Sequence, residues 1–493
     1  MDSASGSTHL ERPDAILGKL PFLRLLLLLF AISFIIHTGI VILFINQPIA
    51  LDDMYQYDML ARSLEAGNGY RWYSKADVEV LRPYYAQFLD VDHLPFPERG
   101  LETTFRAPGY PFFLAFFYLL VPSSSRFVLA RLVQAALAAS LTPIAAVLGR
   151  QVGLPHKVCL FAGLGLSFYP ILLFYPVGLV SEDLYIPLGL LAVILVLCAA
   201  KRKTWGWLLL AGLICGLLML TRSIFAGFTL LAAVWISRAH PHKKLAALIF
   251  LLAAFGLCLP WSIRNSLLMH RPAFVENSLG YNLFIGYNPQ GDGGFVSKVA
   301  IQPMNILDDG ERERICLQQA LEFIRQAPLE SARRVLVRLV KFLGPEDREF
   351  FYFYSNDLVG AFPPIGLVFI YLLLIVPWGA TLMLGAIGLW RLPDRSSRLL
   401  ILFFLLGYGL PHLFIIAEPR FHLAWVPILL PVAAFGWTTF RRSSTLKRNK
   451  QELILFWGLL ALLSSIFLIG FFTDLPTFLT LIRPGGNQLG FSY

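Results

Sequence analysis

Eleven apolar runs recur along the chain, and no other feature limits its fold as strongly. About 20 apolar residues are needed to cross the hydrocarbon core of a bilayer as an α-helix. Within lipid, only helices and closed barrels satisfy every backbone hydrogen bond, and runs of this length are typical of helices. The sequence therefore predicts an all-α polytopic membrane protein with about eleven spans, some of which need tilt to cross. The runs lie at 20–46, 127–149, 158–179, 184–200, 205–220, 224–237, 245–263, 362–390, 399–416, 421–440 and 452–473.

The overall composition excludes a soluble chain. Of 493 residues, 57% are hydrophobic and 15% are charged, whereas soluble domains carry about 25% charged residues. A further apolar run, 109–121, is too short to span, and we expect it either to lie in the membrane interface or to dip into the membrane. The five cysteines form no CxxC motif and no Cys/His cluster. The sequence therefore predicts neither a cysteine metal site nor an intrachain disulfide.

Lysine and arginine are distributed unequally between the two predicted faces. With the N-terminus in the cytoplasm and the spans alternating, the inside segments hold 18 Lys and Arg and the short outside turns hold 2. Cytoplasmic loops of membrane proteins are enriched in these residues. The net charge of +10 is thus a topology signal, and we expect no nucleic-acid partner. The predicted organisation is a cytoplasmic N-terminus 1–19, a transmembrane module 20–264 with an outside loop 47–125, a second outside loop 265–361, C-terminal spans 362–473 and an outside tail 474–493.

Acids and arginines gather at the predicted outer face. Ionisable residues at or within spans are costly and are candidates for function. Each also has an ordinary explanation. Asp52 would be a solvated acid at a helix boundary, and Glu182 would favour the N-terminus of the helix that it begins. Arg222 and Arg264 would snorkel to headgroups. The group comprises Asp52, Asp53, Glu182, Asp183, Glu418, Arg106, Arg222, Arg264 and Arg420.

The second outside loop has two parts. The first, NSLGYNLFIGYNPQGDGGF, is rich in Gly, Asn and aromatic residues, as compact binding loops are. The second, about 310–343, has apolar residues at helical spacing and carries Arg333, Arg334, Arg338 and Lys341 late in the helix. These bases suit either lipid phosphates or a solvated helix face, and the solvated face is the expectation for each residue. A lone DxD at Asp90–Asp92 lies in no nucleotide-binding fold and carries no argument.

Several short motifs follow one another in a characteristic order. After the first apolar run come LDDMYQYDML and GNGY, then TFRAPGYPFFLAFF, VSEDLY, GLICGLLMLTRS, LPWSIRNSLLMH and, late in the chain, AEPRFHLAWVPIL. In this order and on one predicted face, the series resembles the GT-C membrane glycosyltransferases. The similar branch is that of the dolichyl-phosphate-mannose–protein mannosyltransferases and the aminoarabinose–lipid A transferases. The resemblance covers roughly residues 20–440, and no single motif in it is decisive.

The resemblance implies a glycosyltransferase on the outer face of a membrane, with the inner membrane of a bacterium favoured by the family type. Such enzymes move a sugar, usually with inversion, from a polyprenyl-phosphate lipid to a glycan, lipid or protein acceptor. The chemistry asks for a carboxylate as general base and for cations on the leaving phosphate, where arginine binds bidentately. Dependence on a divalent cation varies among GT-C enzymes, so the metal and any cofactor stay open.

The family's acids and arginines match particular residues of this chain. The resemblance implies Asp52 as the base, Asp53 where relatives often have Glu, and Glu182 as a second acid. Ser-Glu-Asp replaces the threonine–aspartate pair of many relatives, which leaves open whether Glu182 or Asp183 is the working acid. The residues implied to bind the donor phosphate are Arg106, Arg264, Arg420 and Arg222, and those implied in acceptor binding or loop structure are Asp183, Tyr110, Asn265 and Asn282.

Two other functions compete with this one. A transporter or flippase of a lipid-linked sugar needs sites reachable from both faces and often has inverted repeats. This chain shows no internal repeat, and its acids lie on one predicted face. An O-antigen ligase or polymerase relies on arginines and a histidine in a late large loop, whereas here the acids come first.

Overall fold

The computed structural model describes residues 22–85, 95–440 and 450–490, and most of them are helical. The predicted N-terminus 1–19, the motif at Asp90–Asp92 and nearly all of the basic segment 441–450 lie outside these residues. The first half of the chain forms α1 Phe22–Leu43, α2 Asp53–Glu65, α3 Lys75–Tyr85, α4 Gly109–Tyr118, α5 Arg126–Gln151, α6 His156–Ser167, α7 Pro170–Phe174, α8 Glu182–Arg202, α9 Trp205–Thr221, α10 Ala226–Ala239 and α11 Lys243–Met269.

The second half forms α12 Leu279–Tyr287, α13 Ser297–Ala300, α14 Asp309–Gln326, α15 Pro328–Leu343, α16 Arg348–Ser355, α17 Pro364–Arg391, α18 Arg395–Phe414, α19 Val426–Phe440 and α20 Lys450–Leu481. A 3₁₀ segment, Pro419–Trp425, leads directly into α19. Two short antiparallel strands, β1 Arg71–Trp72 and β2 Leu101–Glu102, pair Arg71 with Glu102 and Trp72 with Leu101.

Eight helices within the described residues are long and apolar enough to cross a membrane. A ninth is added if α6 and the segment Pro170–Val177, which are bent by 52°, count as one span. The helices α9 and α10 are apolar but shorter. The eleven apolar runs of the sequence therefore coincide with helical segments, although the run 158–179 is divided between α6 and the segment Pro170–Val177. The chain is a mostly helical, multi-pass membrane protein. The eight long spans are α1, α5 with its preceding turn, α8, α11, α17, α18, α19 with its 3₁₀ segment, and α20.

The spans differ in how deeply they are enclosed. The apolar window of α8 is 72% buried inside the protein, whereas those of α11 and α20 are only 22% buried. α8 packs against α5, α9 and the 3₁₀ segment before α19, so it lies at the centre of the helix bundle. Its first residues, Glu182 and Asp183, are consequently buried.

The two long connections contain their own helices. The connection between α1 and α5 holds α2, α3 and α4, and the run 109–121 begins as the ten-residue helix α4. The predicted amphipathic segment 310–343 is helical but divides at Ala327 into α14 and α15, because Pro328 is favoured in the first turn of a new helix. At the other end, α20 continues to Leu481, into the predicted tail.

Two of the basic residues of α15, Arg334 and Arg338, are buried and do not form the expected solvated face. Arg333 is 66% exposed and pairs with Glu330, as a solvated residue does. Arg334 and Arg338 are buried, while Leu329 and Leu336 are exposed. The expected solvated basic face was therefore wrong for both buried arginines, because their guanidiniums satisfy backbone oxygens instead of facing water.

Arg338 binds three backbone carbonyls at once. Its Nε donates to Gly293 O at 3.0 Å, its Nη1 to Leu413 O at 3.2 Å, and its Nη2 to Gly286 O. The guanidinium also lies 4.2 Å from the centre of the Tyr287 ring. A buried carbonyl without a partner is costly, so this one side chain ties α15 to α18 and to the glycine-rich loop.

We predict that Arg338→Met destabilises the protein by about 3 kcal/mol or more, since it leaves three carbonyls without donors. The melting temperature of the purified protein in detergent measures this. Arg333→Met, on the exposed face of the same helix, is the matched control and is expected to leave the melting temperature unchanged. Equal melting temperatures for the two variants would show that Arg338 is not a structural anchor.

Candidate functional site

Asp53 is the centre of an ion-pair cluster that joins distant parts of the chain. Asp52 is the N-cap of α2, and its Oδ1 accepts a hydrogen bond from Met54 N at 2.9 Å. The carboxylate of Asp53, the first residue of α2, accepts from Arg106 Nη2 and lies 3.4 Å from Arg420 Nη2. We call these four residues, Asp52, Asp53, Arg106 and Arg420, the carboxylate–arginine cluster.

Gln56 orients Arg106 within this cluster. Its Oε1 accepts from Arg106 Nε at 2.9 Å and from Nη2 at 2.6 Å. Its Nε2 donates to the Tyr73 hydroxyl at 3.1 Å. Gln56 lies one turn after Asp52 on α2, so the same helix supplies both the carboxylates and the group that directs their arginine.

A second group lies at the start of α8, next to the first. Arg222, which ends α9, donates from Nε to Ser181 Oγ at 3.1 Å and from Nη2 to Glu182 Oε1 at 3.2 Å. The Tyr57 hydroxyl donates to Ser181 Oγ at 3.4 Å. The Tyr57 ring lies 5.5 Å from the Arg106 guanidinium, so this tyrosine stands between the two groups.

The backbone before α4 is held firmly, and this positions Arg106. The buried carboxylate of Asp309 accepts from Thr103 Oγ1 and from Thr104 N, each at 2.6 Å. Arg264 donates to Thr103 O at 2.5 Å and to Tyr70 O at 3.4 Å. Arg264 therefore supports the segment that carries Arg106, and the structure does not bring it into the carboxylate–arginine cluster.

Gly109 permits the close approach of α4 to α9. A Cβ at this position would lie 2.6 Å from Thr221 Oγ1 and 2.9 Å from Leu220 O, both closer than side chains tolerate. The absence of a side chain thus allows the segment of Arg106 to meet the end of α9, where Arg222 begins the turn to α10.

Arg420 is positioned by buried acids on either side of its turn. Glu418 accepts from Phe295 N at 2.5 Å and pairs with Arg348 at 2.5 Å. Two residues after Arg420, His422 Nε2 lies 2.8 Å from Glu346 Oε1. The 3₁₀ segment is therefore fixed to the second long connection by an ion pair and by hydrogen bonds whose acids are buried.

The Glu346–His422 pair is fixed by contacts on both sides. Since Phe342 O can only accept, His422 Nδ1 donates to it at 2.7 Å. The Tyr169 hydroxyl donates to Glu346 Oε1 at 2.8 Å, and Trp378 stacks on the imidazole with ring centres 3.8 Å apart. The pair therefore links α17, the 3₁₀ segment and the residue before α7.

The two adjacent aspartates differ electrostatically. Burial alone would raise the pKa of Asp53, but Arg106, Arg420 and Arg222 outweigh it and lower that pKa to about 2. This carboxylate stabilises the fold above its ordinary pKa of 3.8, and the contribution is lost as the pH falls through about 2.

Asp52 shows the opposite shift. Its side chain touches solvent, yet the protein around it limits its hydration, as in a recess. This loss of hydration, followed by the charge of Asp53, raises the pKa of Asp52 above 3.8, against the Met54 N–H and the two arginines. Only Asp53 of the pair is held by arginines at hydrogen-bond distance.

The remaining candidate residues have structural contacts. Asn265 donates to Phe274 O at 2.9 Å and Val275 O at 3.0 Å. Asn282 bonds Ser278 Oγ at 3.4 Å one turn earlier in the chain. The buried hydroxyl of Tyr110 donates to Gln134, and Tyr110 packs edge-on against Tyr57. Asp183 is buried, and its Oδ2 has no hydrogen-bond partner among the described residues.

An apolar groove of about 400 Å³ runs between α6, α17 and α19. Its walls include Phe161, Phe168, Pro377, Leu430 and Trp437. Tyr169 also lines it, and the Tyr169 hydroxyl is bonded to Glu346, the partner of His422. The groove therefore approaches the segment that carries Arg420 from the side of the spans.

Across the described ranges, no three His, Cys, Asp or Glu side chains are grouped as a metal site requires. A scan against protein-family models finds no match to the chain, and no curated protein matches it either.

The sequence did not single out several members of the site. Gln56, Tyr57 and Tyr73 belong to the first connection. Gln56 and Tyr57 follow Asp52 on α2, which hinted at a role, whereas Tyr73 comes after β1 and had no such signal. Ser181 directly precedes the predicted site residue Glu182, and this position was its only sequence signal. Glu346 and His422 are 76 residues apart, and no spacing rule links them.

We predict that His422→Leu destabilises the protein by about 3–5 kcal/mol, because Glu346 then lies buried without its partner. His422→Gln, which retains a donor, should cost less. Melting temperatures of the single variants and of Glu346→Gln/His422→Leu complete a double-mutant cycle, in which the double variant should lose less than the sum of the singles. Additive losses would mean that the two residues are not coupled.

Proposed function

We propose that this chain is a GT-C type glycosyltransferase that moves a sugar from a polyprenyl-phosphate donor to a glycan, lipid or protein acceptor outside the cytoplasm. The observation that carries the proposal is the carboxylate–arginine cluster, in which one accessible carboxylate lies beside another that is fixed by two arginines. Carboxylates whose pKa values are pushed apart are typical of sites where one group transfers a proton and the other stays charged.

In this proposal, Asp52 is the general base. Asp52 is accessible to solvent, and its pKa is raised above that of an ordinary carboxylate, in the direction of neutral pH. Asp53 stays ionised and holds Arg106 and Arg420 in place. One oxygen of Asp52 caps α2, which fixes the carboxylate, and the other is directed to the acceptor.

The reaction is a single displacement. The acceptor oxygen or nitrogen attacks the anomeric carbon while its proton passes to Asp52, and the bond from that carbon to the phosphate oxygen breaks. The electron pair leaves with the polyprenyl phosphate, so negative charge grows on the phosphate. Attack from the side opposite to the leaving group inverts the anomeric configuration.

Arginines Arg106, Arg222 and Arg420 are proposed to bind that phosphate. The Nη1 groups of Arg106 and Arg222 make no hydrogen bond to the described residues, and both side chains are partly exposed, at 18% and 22%. These donors suit a phosphate whose charge develops in the transition state. Arg264 is given the role of supporting the Arg106 segment.

Glu182 is proposed as the second acid, to position the acceptor or a metal ion. It is the first residue of α8 and faces Arg222 in the group beside the carboxylate–arginine cluster. Asp183 is buried in the same first turn and makes no hydrogen bond or ion pair with these arginines within the described residues. This favours Glu182 over Asp183.

The apolar groove between α6, α17 and α19 is proposed to hold part of the isoprenoid tail. Its exposed walls include Phe161 and Phe168, at 65% and 57% exposure. A lipid-linked donor needs such a surface open to the bilayer, together with a polar site for its phosphate. The groove leads toward the 3₁₀ segment on which Arg420 lies.

The proposed topology has eleven spans, which adds α9, α10 and the bent pair at α6 to the eight long helices. Tilt or flanking residues allow the shorter helices to cross. The imbalance of 18 to 2 basic residues puts the cluster on the outer face, with a bacterial inner membrane as the proposed location.

We predict that Asp52→Asn lowers sugar transfer at least about 100-fold, as expected for loss of a general base. Purified protein would be incubated with a panel of radiolabelled polyprenyl-phosphate sugars and an extract of the native cell envelope, and labelled products would be counted. Glu311→Gln, which removes an exposed acid on α14, is the matched control and should retain activity. Full turnover by Asp52→Asn would refute the base assignment, and label that crosses the bilayer without a new glycosidic bond would indicate a transporter.

We also predict an acid limb in the pH–rate profile, with transfer falling as the pH drops through the raised pKa of Asp52. Arg106 lowers this pKa, so the residual activity of Arg106→Gln should show the limb at higher pH. Arg106→Lys keeps the positive charge and should leave the limb near its wild-type position. Identical limbs in the Gln and Lys variants would argue against Asp52 as the titrating group.

A further inference from the structure

A polar pocket of about 410 Å³ opens in the first long connection, apart from the carboxylate–arginine cluster. It lies between the second half of α2, strand β1, the start of α3 and the turn at 97–100, with Ser123 on its far side. Its volume falls in the range of about 300–1,000 Å³ that is usual for small-molecule sites. The proposed reaction assigns no role to this pocket.

One wall of the pocket is a fixed ionic network. Arg62 pairs with Asp58 at 2.7 Å and with Asp77 at 2.6 Å. Asp77 also accepts from Ser74 N at 3.0 Å and Ser74 Oγ at 2.6 Å. The carboxylates are buried, while Arg62 is 30% exposed. A wall whose polar groups are already oriented binds a ligand with little loss of side-chain freedom.

Three other polar side chains of the lining are little engaged within the described residues. Arg99 is exposed and has no partner among the described residues. Asn68 also lines the pocket, and its side-chain amide makes no hydrogen bond to the part of the chain that the structure describes. Ser63 bonds only the backbone of the adjacent turn, at Gly69 O. These groups are available to a bound molecule.

The balance of charge indicates the class of ligand. Three arginines and three acids line the pocket together with serine, asparagine and tryptophan side chains. The acids would repel a simple anion, and the arginines would repel a simple cation. A saccharide matches both, because each hydroxyl group donates one hydrogen bond and accepts others. The lining acids are Glu65, Asp77 and Glu98, and the lining arginines are Arg62, Arg71 and Arg99.

The backbone joins this pocket to the carboxylate–arginine cluster. Trp72 lines the pocket, and the next residue, Tyr73, has a φ of 49°, which few residues other than glycine adopt. Gly100 makes this possible, since a Cβ there would lie 2.6 Å from Trp72 O. The strained position directs the Tyr73 hydroxyl to Gln56, which holds Arg106.

The distance suits an extended ligand. Arg62 follows Asp53 by nine positions on α2, which corresponds to about 14 Å along the helix axis. A molecule in the pocket is therefore too far from Asp52 to react in place. A chain of sugar units that begins in the pocket would reach Asp52 with its terminal unit.

We propose that this pocket binds the saccharide portion of the acceptor, which rests on the proposed transferase function. The pocket holds the chain one or more sugar units away from the reacting hydroxyl, and the Tyr73–Gln56 link aligns it with Arg106. Residues of the pocket are thus determinants of acceptor specificity, and they do not touch the donor.

The first test blocks the pocket covalently. Asn68→Cys would be labelled with a bulky maleimide, and two rates would be measured with radiolabelled polyprenyl-phosphate sugars: transfer to acceptors in a native envelope extract, and release of free sugar to water. Labelling should lower transfer at least tenfold and leave hydrolysis within about twofold. Glu311→Cys on α14, labelled in the same way, is the control and should keep both rates.

The second test uses Arg99→Ala, an exposed change that does not endanger folding. The apparent KM for the acceptor extract should rise about tenfold, the effect of losing one hydrogen bond to a charged group, with kcat and the KM for the donor unchanged. Arg333→Ala should change neither constant. Unchanged acceptor transfer after complete labelling of Asn68→Cys, or an unchanged acceptor KM in Arg99→Ala, would overturn the pocket assignment. If the wild-type protein neither transfers nor hydrolyses any donor, the proposed function fails and this inference fails with it.

Discussion

The ion pairs of Asp53 with Arg106 and Arg420 are the interaction on which the site depends. Arg106 is 53 positions and Arg420 is 367 positions from Asp53 along the chain. The two pairs therefore hold the first connection against the turn between α18 and α19. Charges removed from water are costly unless they are paired. α2, the segment before α4 and the turn before α19 must therefore pack together so that these charges are paired. This packing forms the site.

Arginine has two distinct uses in this protein. Arg334, Arg338 and Arg264 satisfy backbone carbonyls and hold irregular segments against the helix bundle. Arg106 and Arg222 instead face carboxylates, and their Nη1 groups make no hydrogen bond within the described part of the chain. The planar guanidinium has five donors, so it can meet several carbonyls of a loop as readily as the oxygens of a phosphate. Only the partners distinguish the two uses.

Three features converge on one end of the helix bundle. The carboxylate–arginine cluster lies where α2, α8 and the 3₁₀ segment meet, the apolar groove approaches it from the spans, and the polar pocket lies farther along α2. In the proposed reaction they would accommodate the donor phosphate, its lipid tail and the saccharide of the acceptor, and donor and acceptor would meet at Asp52.

The sequence by itself determined a mostly helical, multi-pass fold, because a long apolar run has few alternatives in lipid and its signal is local. The described residues contain eight helices long enough to span, and the count of eleven stays a prediction. The sequence also placed Asp52, Asp53, Glu182 and Arg222 at the ends of helices, where charged residues interrupt apolar runs. Pro328 explains the division of 310–343 into two helices, but this division was not predicted from the sequence. Tertiary structure decided the rest: which arginine meets which acid, that Arg334 and Arg338 turn inward, and that Glu346 reaches His422. These outcomes depend on pairing between residues far apart in the chain, where burial and the need to satisfy each polar group, not local spacing, select the partner.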